Sequence, residues 1–247
     1  MYSGTQLFRA RSLLVKSMAV VAFVASLSLV TKVSASPAAN VVLPGVGLDT
    51  LLDGGSIQVG DKIFADFSIS GFDAAGVLVI GIEENGHYGV RLQGGFAAFG
   101  NQVQDILIGF SVCVAPQSSQ LISGVQLDFN GAVATGSGHA SVVETAVTPS
   151  GEQMLLPPLV VVNPPPVLSA SADLVSPQQK IYVLKDILLV AGGDTAPHKR
   201  LGNESEAVNA VLISQIDQLF VQIPEPGTVV LVAAGLLGVA ITGRRRK

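Results

Sequence analysis

The sequence has a single cysteine, no tryptophan, and few charged or aromatic residues. Charged residues make up 13% and aromatic residues 5% of its 247 residues. One thiol cannot form an internal disulfide, so packing and hydrogen bonds have to hold the fold together. Aromatic side chains usually line the clefts that bind or cleave sugars, so their scarcity disfavours both a hydrolase and a lectin.

Basic residues are scarce between the two ends of the chain. Residues 36–223 hold six basic and 17 acidic residues, a net charge of −11, while the other eight basic residues lie within the first 32 and the last four positions. An acidic body with few aromatic residues disfavours binding to nucleic acid or to an anionic membrane surface. The same acidity also keeps a domain soluble.

Sequence motifs for catalysis are missing as well. There is no Gly-x-Ser-x-Gly elbow and no phosphate-binding loop. Cys113 lies in an apolar run that predicts a buried strand, with no histidine nearby to act as its base. His87, His139 and His198 each stand beside glycine or proline, which predicts exposed loop histidines rather than paired metal ligands. The sequence therefore predicts no enzyme and no cofactor.

Calcium is the one metal for which the sequence offers candidates. Asp49 and Asp53 precede the turn at Gly54-Gly55, and Asp61 follows Gly60. Acidic loops at the rim of a β-sandwich can bind calcium through oxygen ligands. Asp is also common in turns because it hydrogen-bonds its own backbone, so both interpretations stay open.

Short apolar runs separated by glycine, proline and Asn-Gly predict an all-β body over residues 36–222. Long helical patterns between the runs are lacking, which disfavours a parallel α/β sheet. Eight or nine strands of this spacing are typical of a two-sheet β-sandwich or jelly roll. The predicted strands are 61–70, 77–83, 88–93, 104–114, 121–129, 140–147, 154–162 and 180–190.

Finer features of these runs give further expectations. In 61–70 the alternation places Ile63, Ala65, Phe67 and Ile69 on one face. Asn85-Gly86 predicts a turn, Gly94-Gly95 an end to the preceding strand, and 163–166, with its three prolines, a loop or edge. Residues 209–222 fit either a helix or a strand.

The first 35 residues have the pattern of a secretory signal peptide. Arg9, Arg11 and Lys16 precede the apolar segment 17–30, and small residues lead up to Ala35, after which we expect cleavage. The alternative is an uncleaved anchor, but 14 apolar residues are few for a membrane span.

The last 25 residues, 223–247, predict a membrane anchor. The uncharged apolar segment 228–243 would form a helix of roughly 24 Å, which snorkelling cations can extend toward the roughly 30 Å hydrocarbon core. The basic end 244–247 predicts a cytoplasmic tail and places the body outside. Pro224 and Pro226 favour an extended peptide that fits a protease cleft, or they merely end one element before the next.

Pro224-Glu225-Pro226, a short apolar helix and the cluster Arg244, Arg245, Arg246, Lys247 resemble the PEP-CTERM sorting signal, in that order and at the extreme C-terminus. The resemblance implies an exosortase, a membrane enzyme that processes its substrate near the tripeptide. It also implies export and association with exopolysaccharide or a biofilm matrix. The runs around Lys62, Glu144 and Lys185 also look like the ectodomain of many such proteins, which has no assigned chemistry.

The sequence thus favours an exported structural or interaction protein that is a substrate rather than an enzyme. We expect a precursor anchored in the membrane with its ectodomain outside, and then a cell-surface or matrix location. The first alternative is a surface module that binds glycan, with or without calcium. The second is a secreted hydrolase, which would need converging carboxylates or histidines.

Overall fold

The computed structural model describes residues 40–135, 137–192, 209–225 and 227, and nearly all of their regular elements are β-strands. A short helix, α1, spans Leu48–Leu52, and a 3-10 turn spans Ala74–Gly76. The strands are β1 (Asn40–Val41), β2 (Val46–Gly47), β3 (Ile57–Val59), β4 (Lys62–Ser70), β5 (Val77–Glu84), β6 (His87–Phe99), β7 (Val103–Val114), β8 (Gln120–Phe129), β9 (Ala132–Thr135), β10 (Ser137–Val147), β11 (Leu159–Asn163), β12 (Ser169–Gln178), β13 (Lys180–Gly192) and β14 (Ala210–Pro224).

The strands form two antiparallel sheets. Sheet I has the order β1-β5-β6-β14-β8-β12, with β2 also paired to β5 and β9 also paired to β14. Sheet II has the order β11-β10-β13-β7-β4-β3. The prediction of an all-β body with two sheets is confirmed. Strands such as β1, β2, β3 and β9 were not predicted because two to four residues are too few to show a period.

The core lies between the two sheets. Phe64 of β4 and Phe110 of β7 pack against Phe220 of β14, with ring centroids 5.6 Å and 6.5 Å from that of Phe220. Phe64 and Phe220 have no exposed surface. Their contacts join sheet II to sheet I, as expected for a sandwich whose inner faces interdigitate.

Residues 209–222, which fitted either a helix or a strand, form most of β14. This strand pairs with β6 on one side and with β8 on the other, so it lies inside sheet I. Val211, Ile213 and Phe220 are fully buried. The hydrophobic period of the sequence was ambiguous, and the strand forms because β14 pairs with a neighbouring strand along each of its edges.

The predicted alternation in β4 is wrong for its first half. Lys62 and Phe64 are buried, although the sequence placed them on the face opposite Phe67. The register with β7 shifts between Ala65 and Ser68, and Asp66 has a φ of 55°. This β-bulge inserts one extra residue and therefore moves Phe67 onto the same face as Phe64.

Glycine and proline residues predicted some of the strand ends correctly and one of them wrongly. Asn85 and Gly86 both have positive φ, 52° and 80°, and form the predicted turn. Gly94-Gly95 does not end a strand, since β6 continues to Phe99 with its backbone paired to the neighbouring strands. The triproline segment forms the predicted turn, between β11 and Val167.

Two further boundaries differ from the prediction. Residues 154–158 precede β11 rather than belong to it, because Pro157 and Pro158 lack the N–H groups that a ladder needs. The strand β12 was missed because it is rich in serine and alanine and contains Pro177. It lies at the edge of sheet I, where proline is tolerated.

Candidate functional site

The central strand β14 leads directly into the tripeptide Pro224-Glu225-Pro226. Pro224 is the last residue of β14 and pairs with Gln120 of β8. Proline has no backbone N–H, so the hydrogen-bond ladder ends there. Ile223 is 38% exposed and Pro224 is exposed. The start of the tripeptide is therefore an extended, accessible peptide at one end of sheet I, while Pro226 lies outside the described residues.

Glu225 is held against the body by two hydrogen bonds. Its backbone N–H donates to the carbonyl oxygen of Ser119 at 2.7 Å. Nε2 of Gln179 donates to its carboxylate at 2.5 Å. Ser119 lies in the β7–β8 loop and Gln179 between β12 and β13, so both sheets contribute to the contact. No sequence pattern indicated either partner, since Ser119 lies 106 and Gln179 lies 46 positions before Glu225.

A polar cluster fixes the strand just before the tripeptide. The buried Nζ of Lys62 contacts Oε1 of the Gln222 side chain and lies 2.5 Å from Oδ1 of Asp61. Ser118 donates to the other oxygen of Asp61 at 2.7 Å. Burial lowers the pKa of Lys62, and Asp61 opposes that shift. Because Lys62 belongs to sheet II and Gln222 to sheet I, this contact ties the two sheets together beneath the tripeptide.

The other residues expected to take part in export lie outside the described residues. These are the predicted cleavage position Ala35, the apolar segment 228–243 and the basic residues Arg244, Arg245, Arg246 and Lys247. Within the described ranges, which end at 227, no helix is long and apolar enough to cross a membrane.

The three calcium candidates stand in separate local settings. Asp49 lies in the first turn of α1, and its carboxylate accepts from the backbone N–H of Thr50 at 2.8 Å. Asp53 follows the end of α1, and Asp61 is engaged by Lys62 and Ser118. Among the described residues, no three His, Cys, Asp or Glu side chains group in a way that could hold a metal ion. A calcium site at these residues stays a prediction.

The histidines and the cysteine differ in part from their predicted settings. His87 is the first residue of β6, and His139 lies within β10 rather than in a loop, because Gly138 is itself paired in the sheet. His198 lies outside the described residues. Cys113 lies in a strand, as predicted, but its side chain is only partly buried.

A shallow groove of about 370 Å³ lies on the outer face of sheet II. Tyr182, 37% exposed, lines it together with Asp66, Thr145 and Gln153. Nζ of Lys180 lies 4.8 Å from the centre of the Tyr182 ring and 3.1 Å from the Asp66 carboxylate. Hydrogen bonds from Ser111 and Lys180 lower the pKa of Asp66. The groove combines one exposed aromatic side chain with carboxylate, amide and hydroxyl groups.

Three solved structures are distantly similar to this chain. The carbohydrate-binding module TmCBM61, solved with β-1,4-galactotriose, matches at 9% identity and a TM-score of 0.30, over 63% of this chain and 88% of its own. The enzymatically active domain of bacteriophage CBA120 tailspike protein 4 matches at 8% and 0.24, over 64% and 19%. The mannan-recognising module TmCBM27 matches at 11% and 0.16, over 75% and 97%. At these TM-scores the likenesses carry no argument about this chain.

No curated protein matches the sequence. The C-terminal end, in contrast, matches a family model. The family model of the PEP-CTERM protein-sorting motif matches residues 222–247, which include the end of β14, the tripeptide, the apolar segment and the basic tail. The resemblance inferred from the tripeptide and its neighbours is thereby confirmed. The chain therefore carries a PEP-CTERM sorting motif at residues 222–247, and this motif supports export.

Proposed function

We propose that this chain is a structural or interaction protein of the cell surface or extracellular matrix, processed at its C-terminal motif by an exosortase-type enzyme. The family-model match at residues 222–247 is the observation that carries the proposal. In it, Pro224, Glu225 and Pro226 are recognised by the enzyme, the segment 228–243 holds the precursor in the membrane, and residues 244–247 orient it. The protein is then a substrate of this enzyme, and we expect it to associate with exopolysaccharide of the matrix.

The position of the tripeptide supports this role. The motif follows the last strand of the body without a linker, and Ile223 and Pro224 are exposed in extended conformation. Proteases bind extended substrate strands, which their clefts pair with through backbone hydrogen bonds. An enzyme at the membrane surface would thus meet a preformed extended peptide directly at the end of the folded domain.

Intact mass of the mature protein tests the proposal. The protein is purified from cells with and without a functional exosortase. We expect the tail beyond the tripeptide to be lost only when the enzyme is present. An unchanged tail in both strains would make the chain a permanently anchored protein and would overturn the proposal.

The groove on the outer face of sheet II favours a second candidate function, glycan binding. Tyr182 offers a partly exposed ring, and Asp66, Thr145 and Gln153 offer the hydrogen-bonding groups that sugars need. Calorimetric titration with exopolysaccharide from the same cells tests this function. We expect Tyr182→Ala to remove binding and Phe99→Ala, an exposed aromatic on sheet I, to leave it unchanged. Equal binding by both variants would place the glycan elsewhere.

The calcium form of the same candidate has its own test. A ligand that binds only the folded state raises the melting temperature. A melt with millimolar calcium should then shift upward and return with chelator, and Asp61→Asn should weaken the shift. No shift would remove calcium from this function.

A further inference from the structure

The interior of the sandwich contains a lysine, a carboxyl group and a carboxamide in direct contact. Lys185, Glu144 and Gln218 each have 0% exposure. Nζ of Lys185 contacts Oε2 of Glu144 and Oε1 of Gln218. Nε2 of Gln218 donates to the Gln126 carbonyl oxygen at 3.2 Å. Three groups that usually prefer water are therefore enclosed together.

The contact joins the two sheets. Lys185 of β13 and Glu144 of β10 lie opposite each other in sheet II. Gln218 lies on β14, the central strand of sheet I, and is itself paired with β6 on one side and β8 on the other. The neighbouring positions on the same faces of these strands are buried and apolar, namely Val142, Val183, Ile187, Ile216 and Phe220.

This apolar setting disfavours charge. An ion pair without water loses several kcal/mol of hydration per ion, so a neutral amine and a neutral carboxylic acid compete with the ionised pair. Burial lowers the pKa of Lys185 and raises the pKa of Glu144, both toward the neutral forms. A neutral amine has the free electron pair that a nucleophile needs. Oε1 of Glu144 is buried and has no hydrogen-bond partner among the described residues, so the carboxyl group keeps a free position for a proton.

We propose that Lys185 and Gln218 form an internal amide cross-link and that Glu144 is the catalytic acid and base. The Nζ electron pair attacks Cδ of Gln218, so the Nζ–Cδ bond forms and the Cδ–Nε2 bond breaks. Glu144 takes a proton from Nζ and returns one to Nε2, which leaves as ammonia. The Gln218 oxygen remains the carbonyl oxygen of the new amide. The reaction needs no oxidant, cofactor or second substrate.

Such a bond would fasten the central strand of sheet I to the interior of sheet II. It would cross-link residues 33 positions apart, and a cross-link stabilises a fold mainly by restricting the unfolded chain. This chain has a single cysteine, so the amide would supply the covalent cross-link that disulfides supply in other exported proteins.

A tryptic peptide map of the purified, denatured full-length protein tests the proposal. Trypsin does not cleave after a lysine whose amine is acylated, so we expect an uncleaved Lys185. The fragment 181–199 should be joined to the fragment that contains Gln218, with a total mass lower by one ammonia molecule. Cleavage at Lys185 with two separate fragments of unaltered mass would overturn the cross-link, and this readout does not depend on any variant folding.

Variants test the part of Glu144 and give matched controls. Glu144→Gln keeps the shape but removes the acid, so we expect complete loss of the cross-link and normal cleavage at Lys185. Lys180→Gln changes a partly exposed lysine that starts the same strand and should keep it. Lys62 provides a comparison within the chain: it contacts Gln222, but its acid, Asp61, has a side chain 20% exposed, so we expect cleavage there. A cross-link that persists in Glu144→Gln would overturn the role of Glu144.

Discussion

At the scale of residues, this body combines an apolar core with polar groups that cross it. Phe64, Phe110 and Phe220 fill the space between the sheets, while Lys62 and Lys185 reach across to glutamines of β14. A buried lysine without a partner would cost several kcal/mol. Both kinds of contact meet on β14, so substitutions on this strand should have the largest effects.

Truncation of Phe220 tests the aromatic contact. Phe220→Ala removes a fully buried ring that touches both Phe64 and Phe110. We expect the free energy of unfolding to fall by about 3–5 kcal/mol. Phe99→Ala, at a side chain 47% exposed, should change it by less than about 0.5 kcal/mol. Urea denaturation of both variants measures this, and equal losses would contradict the proposed core.

Glu84 makes stability depend on pH. The residue is 8% exposed. Burial, together with repulsion from Asp128 and Asp217, raises the pKa of its carboxyl group, and the interaction with His87 partly opposes this rise. When the pKa of a carboxyl group is higher in the folded state than in the unfolded state, the protein loses stability as the pH rises above the unfolded-state pKa. Glu84→Gln should therefore raise the melting temperature at pH 7 and have little effect at pH 4.

The matched control for this titration is Glu83→Gln, which removes a carboxylate from the neighbouring position of the same strand. Thermal melts of the two variants and the unaltered protein at both pH values make the comparison. A gain that is equal at pH 4 and pH 7, or equal in both variants, would show that ionisation of Glu84 is not its cause.

At the scale of elements, β14 organises sheet I and presents the sorting motif. It pairs with β6 along residues 210–220 and with β8 along 216–224. The backbone of β6 approaches it closely at Gly89, where an added Cβ would lie 1.8 Å from the Gln218 carbonyl oxygen. The pairing therefore needs glycine at this position.

Two glycines of β6 test that approach. Gly89→Ala should destabilise the protein by about 1–3 kcal/mol or more, because a backbone atom rather than a flexible side chain has to move. Gly95→Ala should be tolerated, since nothing lies within 4 Å of its added Cβ. Thermal melts compare the two, and an unaffected Gly89→Ala would show that β6 and β14 can separate without loss.

The hold on Glu225 predicts an effect on processing, which rests on the proposed exosortase substrate role. An enzyme has to free Glu225 from Gln179 before its cleft can enclose the tripeptide. One hydrogen bond is worth about 1 kcal/mol, so Gln179→Ala should speed tail removal by up to roughly fivefold.

The time course of tail loss, followed by mass in cells with the enzyme, measures this effect. Gln178→Ala, whose amide bonds Ser176 instead, is the matched control. Equal rates in all three proteins would overturn the restraint by Gln179. No tail loss in any of them would instead overturn the processing itself.

At the scale of the whole molecule, the sorting motif begins in the last residues of β14, a strand that is paired on both sides. The body needs β14, because β6 and β8 pair with it from both sides. The residues after Glu225 follow the last hydrogen bond between the motif and the body among the described residues. We therefore expect that a tail can be removed beyond the tripeptide without opening the sandwich.

Two truncations test this arrangement. A chain ending at residue 225 should keep the melting temperature of the precursor body. A chain ending at residue 208 lacks β14 and should not fold cooperatively. Circular dichroism during heating distinguishes them, and a loss of the transition in the longer chain would show that the body needs its tail.

Much of this architecture follows from local signals. The strands at 104–114 and 180–190 and the turn at Asn85-Gly86 were predicted from neighbouring residues, and the structure contains all three. The faces of β4 and the extent of β6 depend instead on a bulge and on pairing partners far along the sequence. The motif was found from contiguous residues, whereas Ser119 and Gln179 emerge only once distant loops meet.

Composition and residues close together in the chain were enough to predict an all-β body, the absence of an internal disulfide and the sorting motif. That residues 209–222 form a central strand depends on pairing with β6 and β8, so it is evident from the fold and not from the sequence. The fold likewise brings Lys185, Glu144 and Gln218 together across the sheets. Lys185 is 41 positions from Glu144 and 33 from Gln218, so these contacts produce no pattern in the local sequence.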